Sequence, residues 1–182
     1  TNIKGTDFEV TRSYPFRIAF LNDLHACSIF GMFPEKWVAT GGNTILPNEG
    51  QKVLREYFKD YAAQCNENKC NMLFIPGDLM IGSNYKESGK YVITIELPEQ
   101  VKIAAAIIAE FCEMVPTIEK IYLWKSTGYH GSRDSSVDLD VSKELVAEYG
   151  LDAEYKGEYS FIDLEYGDKV KTLWITHTAS GA

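Results

Sequence analysis

The sequence predicts a layered α/β domain, and three observations support this prediction. Short apolar runs alternate with segments of helical periodicity, a pattern typical of strands and helices in the order βαβαβα. Two segments with alternating apolar residues follow and predict a closing hairpin. A hydrophobic content of 45% over 182 residues is enough to bury a core. Because no repeat or low-complexity tract interrupts the chain, we expect one domain over residues 1–182.

Two strands and one helix are predicted in the first half of the chain. Residues 17–22 and 72–76 are short apolar runs that end at polar residues or glycine, as buried strands do. Between them, residues 49–66 repeat apolar positions at helical spacing, which predicts an amphipathic helix. Its apolar positions are Val53, Leu54, Tyr57, Phe58 and Tyr61. The Gly, Pro and aromatic content of residues 26–48 is typical of an ordered functional loop.

The second half of the chain continues the alternation. Residues 98–114 begin with a proline, which the first helical turn tolerates, and keep an apolar helical period to the end. Residues 118–124 predict a third strand, and residues 140–149 a third helix that ends before a glycine. The segments 158–165 and 169–176 alternate apolar and other residues on both sides of a Tyr-Gly-Asp turn, which predicts a hairpin.

The composition favours a soluble, cytoplasmic protein without a membrane partner. The longest apolar runs are shorter than the ~20 residues that cross a bilayer, and no signal-peptide pattern is present. A net charge of -8 argues against a broad basic surface for nucleic acid. The same charge is compatible with a metalloenzyme, because carboxylates that bind divalent ions contribute negative charge.

The four cysteines do not form the C-x2-C pairs of a structural zinc site, and they are too few for a disulfide scaffold. They are Cys27, Cys65, Cys70 and Cys112. Reduced thiols are therefore expected, with a local disulfide between Cys65 and Cys70 as the alternative.

Candidate metal ligands follow the predicted strands. The three histidines of the chain, His25, His130 and His177, each come directly after a strand, and so do Asp23 and Asp78. The carboxyl ends of neighbouring strands gather ligands in layered α/β domains, so these side chains should share one edge. Each residue alone is typical of a turn or a cap. Together, carboxylates and imidazoles form the donor set of a dinuclear metal site, with Asp78 as the natural bridge.

Four motifs in this order resemble those of the calcineurin-like metallophosphoesterase superfamily. They are D-L-H at 23–25, P-G-D-L at 76–79, G-Y-H at 128–130 and the strand-terminal His177. The segment DLHACSIFGMFP at 23–34, followed by a Trp, is most similar to the branch often encoded by phages and prophages. The third motif of that branch likewise has Thr and His. The resemblance spans most of the chain from Arg17 onward.

This resemblance implies a metallophosphoesterase-type αββα sandwich and a centre of two divalent ions, with Mn, Fe, Zn and Ni as candidate metals. By position, Asp23 and His25 would hold the first ion, Asp78 would bridge, and His177 would hold the second. A metal-bridging hydroxide would attack phosphorus in line. His130 would act beside the leaving group as general acid or transition-state stabiliser.

Two departures from the superfamily pattern affect this assignment. Tyr129 stands where an Asn ligand normally precedes the His, so the Thr127 hydroxyl or a water is the candidate replacement. The final Gly-His-x-His motif has no counterpart, which predicts that the sandwich is incomplete at the C-terminus and that the full protein continues. Arg133 and Asp134 are candidates for contacting phosphate and for orienting His130, with a solvated loop as the alternative.

The resemblance implies a metal-dependent phosphoester hydrolase, with phosphodiesters of nucleotides or nucleic acids as the expected substrates. The aromatic residues Phe30, Phe33 and Trp37 could stack on a base or form a hydrophobic plug. The alternatives are a DNA exonuclease of the repair type and a non-catalytic scaffold that retains the fold. A metal-free nucleotide-binding module is disfavoured because no glycine-rich phosphate-binding motif occurs.

Overall fold

The computed structural model describes residues 8–12, 15–83, 89–127, 130 and 137–177. These ranges contain three helices and nine strands. The helices are α1 (Glu49–Glu67), α2 (Leu97–Met114) and α3 (Val137–Tyr149). The strands are β1 (Phe8–Arg12), β2 (Ile18–Phe20), β3 (Trp37–Val38), β4 (Thr44–Ile45), β5 (Met72–Ile75), β6 (Lys120–Leu123), β7 (Ala153–Tyr155), β8 (Tyr159–Tyr166) and β9 (Lys169–Thr176).

The strands form two sheets and a short ribbon. The first sheet is parallel, with the order β2-β5-β6-β7. The second has the order β1-β8-β9, in which β1 is parallel to β8 and β8 is antiparallel to β9. Strands β3 and β4 pair as a two-stranded ribbon within the predicted loop. The prediction of an α/β fold is therefore confirmed, and its four-stranded sheet is parallel.

The parallel sheet lies between the helices and the second sheet. Successive residues of β5 face opposite sides of a sheet. Leu73 and Ile75 belong to a core cluster that includes residues of all three helices. Met72 and Phe74 belong to a second cluster, which includes Ile162 of β8. Because both faces of the parallel sheet are covered, β5 is apolar and buried along its whole length.

The buried face of helix α1 differs from the set of apolar positions that predicted the helix. The helix begins with a capping box between Asn48 and Gln51. Of the five apolar positions that define its period, Phe58 is buried, whereas Val53 and Tyr57 are 54% and 68% exposed. Arg55 is buried instead and pairs with Glu110 of α2. The buried residues of α1 keep a helical period and are Gln51, Arg55, Phe58, Ala62 and Cys65.

The predicted helices and hairpin agree with the structure within a few residues, and β1, β3, β4 and β7 are additional. All four cysteines are buried and are free thiols, as expected. None of the helices in the described part of the chain combines the length and apolarity that crossing a bilayer requires.

Candidate metal centre

The first two candidate ligand segments run side by side where β2 and β5 end. These strands are parallel neighbours, so their carboxyl ends lie at the same edge. The Asp23 N–H donates to the Gly77 carbonyl at 3.4 Å, and the His25 N–H donates to the Asp78 carbonyl at 3.0 Å. Backbone pairing thus continues past the strands and fixes the spacing of three candidate ligands.

The candidate ligands in these loops have an uncommon backbone conformation. Asp23, His25 and Asp78 have φ values of 53°, 44° and 51°. Positive φ is uncommon outside glycine, although Asp and His adopt it more often than most residues. Each such residue costs on the order of 1–3 kcal/mol, and such residues cluster at functional sites. The strain therefore favours a functional role for this edge over a plain turn.

Asp78 lies at the middle of the cluster, and its two oxygens have different surroundings. Oδ1 accepts hydrogen bonds from the Thr127 backbone N–H at 2.8 Å and from the Thr127 hydroxyl at 3.0 Å. Oδ2 lies 3.1 Å from His177 Nε2 and 3.9 Å from His130 Nε2. One oxygen is fixed by Thr127, and the other faces the imidazoles.

Two groups of donor atoms share Asp78. Ligand atoms of His25, Asp78 and His130 lie within 4.8 Å of one another, and so do those of Asp23, Asp78 and His177. His25 Nε2 is also 3.6 Å from Asp23 Oδ1, so the two groups adjoin. Asp23 therefore lies near both His177 and His25, the residue with which the sequence assignment placed it on one ion.

The donor set fits a divalent transition metal. It combines carboxylate oxygens with imidazole nitrogens, which suit Mn, Fe, Ni and Zn. The Nδ1 atoms of His25 and His177 are buried and have no hydrogen-bond partner within the described ranges. On the other side of each ring, Nε2 of His25 faces Asp23 and Nε2 of His177 faces Asp78, so the Nε2 atoms are the nitrogens placed to contact a cation.

Burial keeps His25 in the form that binds metal. Desolvation lowers the pKa of His25 below its usual value, and the positive charge of a protonated His130 would lower it further. Asp78 and Asp23 act in the opposite direction and do not overcome these effects. A neutral imidazole can donate a lone pair to a cation without first losing a proton.

Gly77 allows His177 to reach Asp78. His177 follows β9 and therefore comes from the second sheet, while Asp78 follows β5 of the first. A Cβ on Gly77 would lie 3.0 Å from His177 Cγ and 2.9 Å from the Lys125 carbonyl oxygen. The φ of Gly77 is 131°, which side chains rarely adopt. Only glycine fits this position without a shift of its neighbours.

Asp138 is a site residue that the sequence analysis did not identify. It is 1% exposed, and its carboxylate accepts from the Ser126 N–H at 2.7 Å and the Ser126 hydroxyl at 2.6 Å. Burial raises the pKa of Asp138 above its usual value. Ser126 precedes Thr127, which holds Asp78, so Asp138 fixes the segment that orients the central carboxylate. Asp138 lies before the predicted start of its helix, and no sequence signal marked it.

The remaining candidate residues of the sequence analysis lie in different surroundings. Thr127 donates its hydroxyl proton to Asp78, which orients that carboxylate. Phe33 is fully buried in the core, whereas Phe30 is 70% exposed. Arg133 and Asp134 lie outside the described residues, as does Tyr129. Trp37 is partly buried, and its indole N–H donates to Glu99 at 2.9 Å.

Comparison with known proteins does not assign the chain to a family. No family model matches it, and no match is found among curated proteins.

Proposed function

We propose that this protein is a metal-dependent phosphoester hydrolase with a dinuclear centre built around Asp78. The observation that carries the proposal is the membership of Asp78 in both donor groups. A carboxylate shared by two cation sites is what a dinuclear centre requires. Helices on one face of the parallel sheet and the second sheet on its other face support three of the four layers of an αββα sandwich.

The two donor groups suggest how the ions would be held. His25, Asp78 and His130 surround one position, and Asp23, Asp78 and His177 surround the other. Bound divalent ions would neutralise phosphoryl charge and lower the pKa of a coordinated water. Thr127 keeps Asp78 Oδ1 in place, so Oδ2 is the oxygen available to bridge.

His130 has a second role in the proposal. Its side chain is 17% exposed and its ring centroid lies 4.4 Å from that of His25, so it lies at the solvent side of the buried Asp78. From there, Nε2 could donate a proton to the leaving oxygen or stabilise charge on phosphorus. If His130 instead binds an ion, its substitution would lower metal affinity as well as turnover.

Phosphodiesters of nucleotides or nucleic acids are the proposed substrate class. The net charge of -8 argues that binding depends on the metal centre and its loops, because a broad basic surface is unavailable. A repair-type exonuclease would use the same centre on a longer substrate.

The test is hydrolysis of bis-p-nitrophenyl phosphate and p-nitrophenyl phosphate by the full-length protein, with Mn²⁺ and with chelator. Asp78→Asn keeps the shape of the side chain and removes its charge, so activity and bound metal should both be lost. Asp140→Asn is the matched control, because Asp140 lies on the exposed side of α3 and pairs with Lys143. Wild-type protein with neither metal nor activity would refute the proposal and favour a non-catalytic scaffold.

A further inference from the structure

Phe30 and Tyr91 form an exposed aromatic pair at the loop that carries His25. Their ring centroids are 5.3 Å apart, with an angle of 48° between the ring planes. Phe30 is 70% exposed and Tyr91 is 48% exposed. Rings that served only the core would be expected to be buried, as Phe33 is. The pair therefore presents aromatic surface to solvent.

The pair is attached to the loop that carries His25. The Ile29 N–H donates to the Tyr91 carbonyl at 2.9 Å, and the Ile93 N–H donates to the Cys27 carbonyl at 2.8 Å. A bridge between Ser28 and Val92 lies between these two bonds. The segment that bears Tyr91 is thus paired directly with the metal-site loop.

Phe30 lies close to the His25 backbone. A Cβ on Gly31 would be 2.1 Å from the His25 carbonyl oxygen, so Gly31 packs against that peptide. Because consecutive Cα atoms are about 3.8 Å apart, the Phe30 Cα lies within about 8 Å of the same oxygen. A substrate held at the metal centre could extend to the aromatic pair.

Side chains of α1 and its cap fix the loop beneath Phe30. Gln51 is buried and donates to the Ser28 carbonyl at 2.9 Å, and Asn48 donates to the Ile29 carbonyl at 2.8 Å. The Phe30 N–H donates to the Ser28 hydroxyl at 3.1 Å. The ring is therefore attached to an ordered backbone, which lowers the entropy cost of using it for binding.

Tyr91 is held in a strained conformation. Its φ is 66°, and a bulky side chain rarely adopts this region. Four of the five other non-glycine residues with positive φ in the described part of the chain lie within or next to the metal-site loops. Strained residues cluster at functional sites, so the φ of Tyr91 is consistent with a functional role for this segment.

We propose that Phe30 and Tyr91 form a stacking platform for the base of a nucleotide phosphodiester whose phosphate lies at the metal centre. This inference rests on the proposed function and specifies its substrate class. Every base has a π-face, so stacking tolerates different bases and favours an ester that carries a base over one that does not. The platform would explain how an acidic protein selects a nucleotide ester through apolar contact.

The test compares two diesters with the same leaving group, thymidine 5′-monophosphate p-nitrophenyl ester and methyl p-nitrophenyl phosphate. The readout is the ratio of their kcat/KM values with Mn²⁺. Phe30→Ala should lower this ratio about tenfold, mainly through the KM of the thymidine ester, as loss of one stacking contact typically does. Tyr57→Ala removes an equally exposed aromatic ring from α1 and should leave the ratio unchanged.

The variant Tyr91→Gly tests whether the Tyr91 ring contributes to nucleotide recognition and not only to stability. Glycine adopts positive φ without strain, so this variant should melt at the wild-type temperature or above while its kcat/KM ratio falls. Equal losses on both esters, or no change in the ratio for either variant, would overturn the platform.

Direct binding distinguishes the platform from the proposed hydrolysis. Calorimetric titration with thymidine 5′-monophosphate and Mn²⁺ should give weaker binding to Phe30→Ala than to wild type. Wild-type protein that binds this nucleotide through Phe30 but hydrolyses neither ester would refute the proposed function and support the platform. Metal-dependent hydrolysis of the methyl ester with no contribution from Phe30 to nucleotide binding would refute the platform alone. Wild-type protein that neither binds nor hydrolyses would overturn both.

Discussion

Gly77→Ala should destabilise the protein and weaken the candidate metal centre together. An added methyl group would lie 2.9 Å from the Lys125 carbonyl oxygen and 3.0 Å from His177 Cγ, and φ would remain at 131°. Backbone strain of this kind costs about 1–3 kcal/mol, and relieving a packing clash costs a similar amount. The expected loss of unfolding free energy is about 2–5 kcal/mol.

Gly150→Ala is the matched control for this prediction. Gly150 also has a positive φ, 64°, but an added Cβ would have no described heavy atom within 4 Å. This variant should cost about 1 kcal/mol, from backbone strain alone. For a chain of this size 1 kcal/mol shifts Tm by about 2–4 °C, so thermal unfolding should separate the variants clearly.

Metal binding completes the test of Gly77. His177 Nε2 lies 3.1 Å from Asp78 Oδ2, and displacement of His177 would open that pair. Titration with Mn²⁺ should show about tenfold weaker binding in Gly77→Ala, with no change in Gly150→Ala. Equal Tm shifts in the two glycine variants would refute the reasoning, because crowding by His177 would then have no energetic effect.

Three further predictions concern residues outside the first two ligand segments. Asp138→Asn should lose about 1–3 kcal/mol in chemical denaturation and should bind Mn²⁺ about tenfold more weakly, since Asp138 fixes the segment that orients Asp78. Burial raises the pKa of Cys112 to about 12 and that of Cys70 to about 11, so both stay protonated at pH 8. Thiol labelling of the native protein should therefore be slow at pH 8 and should accelerate on unfolding. Arg55→Ala should cost about 3 kcal/mol by denaturation, because it leaves the Glu110 carboxylate without its partner.

Each of these predictions has its own control. Asp140→Asn changes an exposed Asp of α3 and should alter neither stability nor Mn²⁺ affinity; a change as large as that of Asp138→Asn would contradict a specific role for Asp138. Lys52→Ala removes an exposed cation of α1 and should cost less than about 1 kcal/mol. Rapid labelling of the native thiols at pH 8 would contradict the buried positions of the cysteines.

Local elements of this fold could be predicted because they depend on local periodicity. Helix α1 was expected over 49–66 and is observed at Glu49–Glu67, and β5 was expected over 72–76 and is observed at Met72–Ile75. Strands β3 and β7 have two and three residues, too few for an apolar period, whereas the three residues of β2 lie within the longer apolar run 17–22. Such strands form only because a neighbouring strand supplies hydrogen-bond partners.

The candidate ligands could be found because strand ends are visible in sequence. Asp23, His25 and Asp78 each follow an apolar run, and parallel pairing brings such ends together. The approach of His177 to Asp23 and Asp78 could not be found in this way. It depends on how the second sheet packs on the first, and no local pattern encodes the distance between sheets.

The sequence by itself determined the α/β class, the order of the helices and of the strands β2, β5, β6, β8 and β9, and the residue types that could hold a metal, because these follow from periodicity and side-chain chemistry. Only the tertiary structure decided which residues support the site. Ser126, between β6 and α3, donates to the buried Asp138 of α3, and the next residue, Thr127, donates to Asp78. The burial of Arg55 in place of Tyr57 likewise depends on Glu110, a partner 55 residues away in the chain. Contacts between distant residues form only when the chain folds, so the periodicity of the sequence does not predict them.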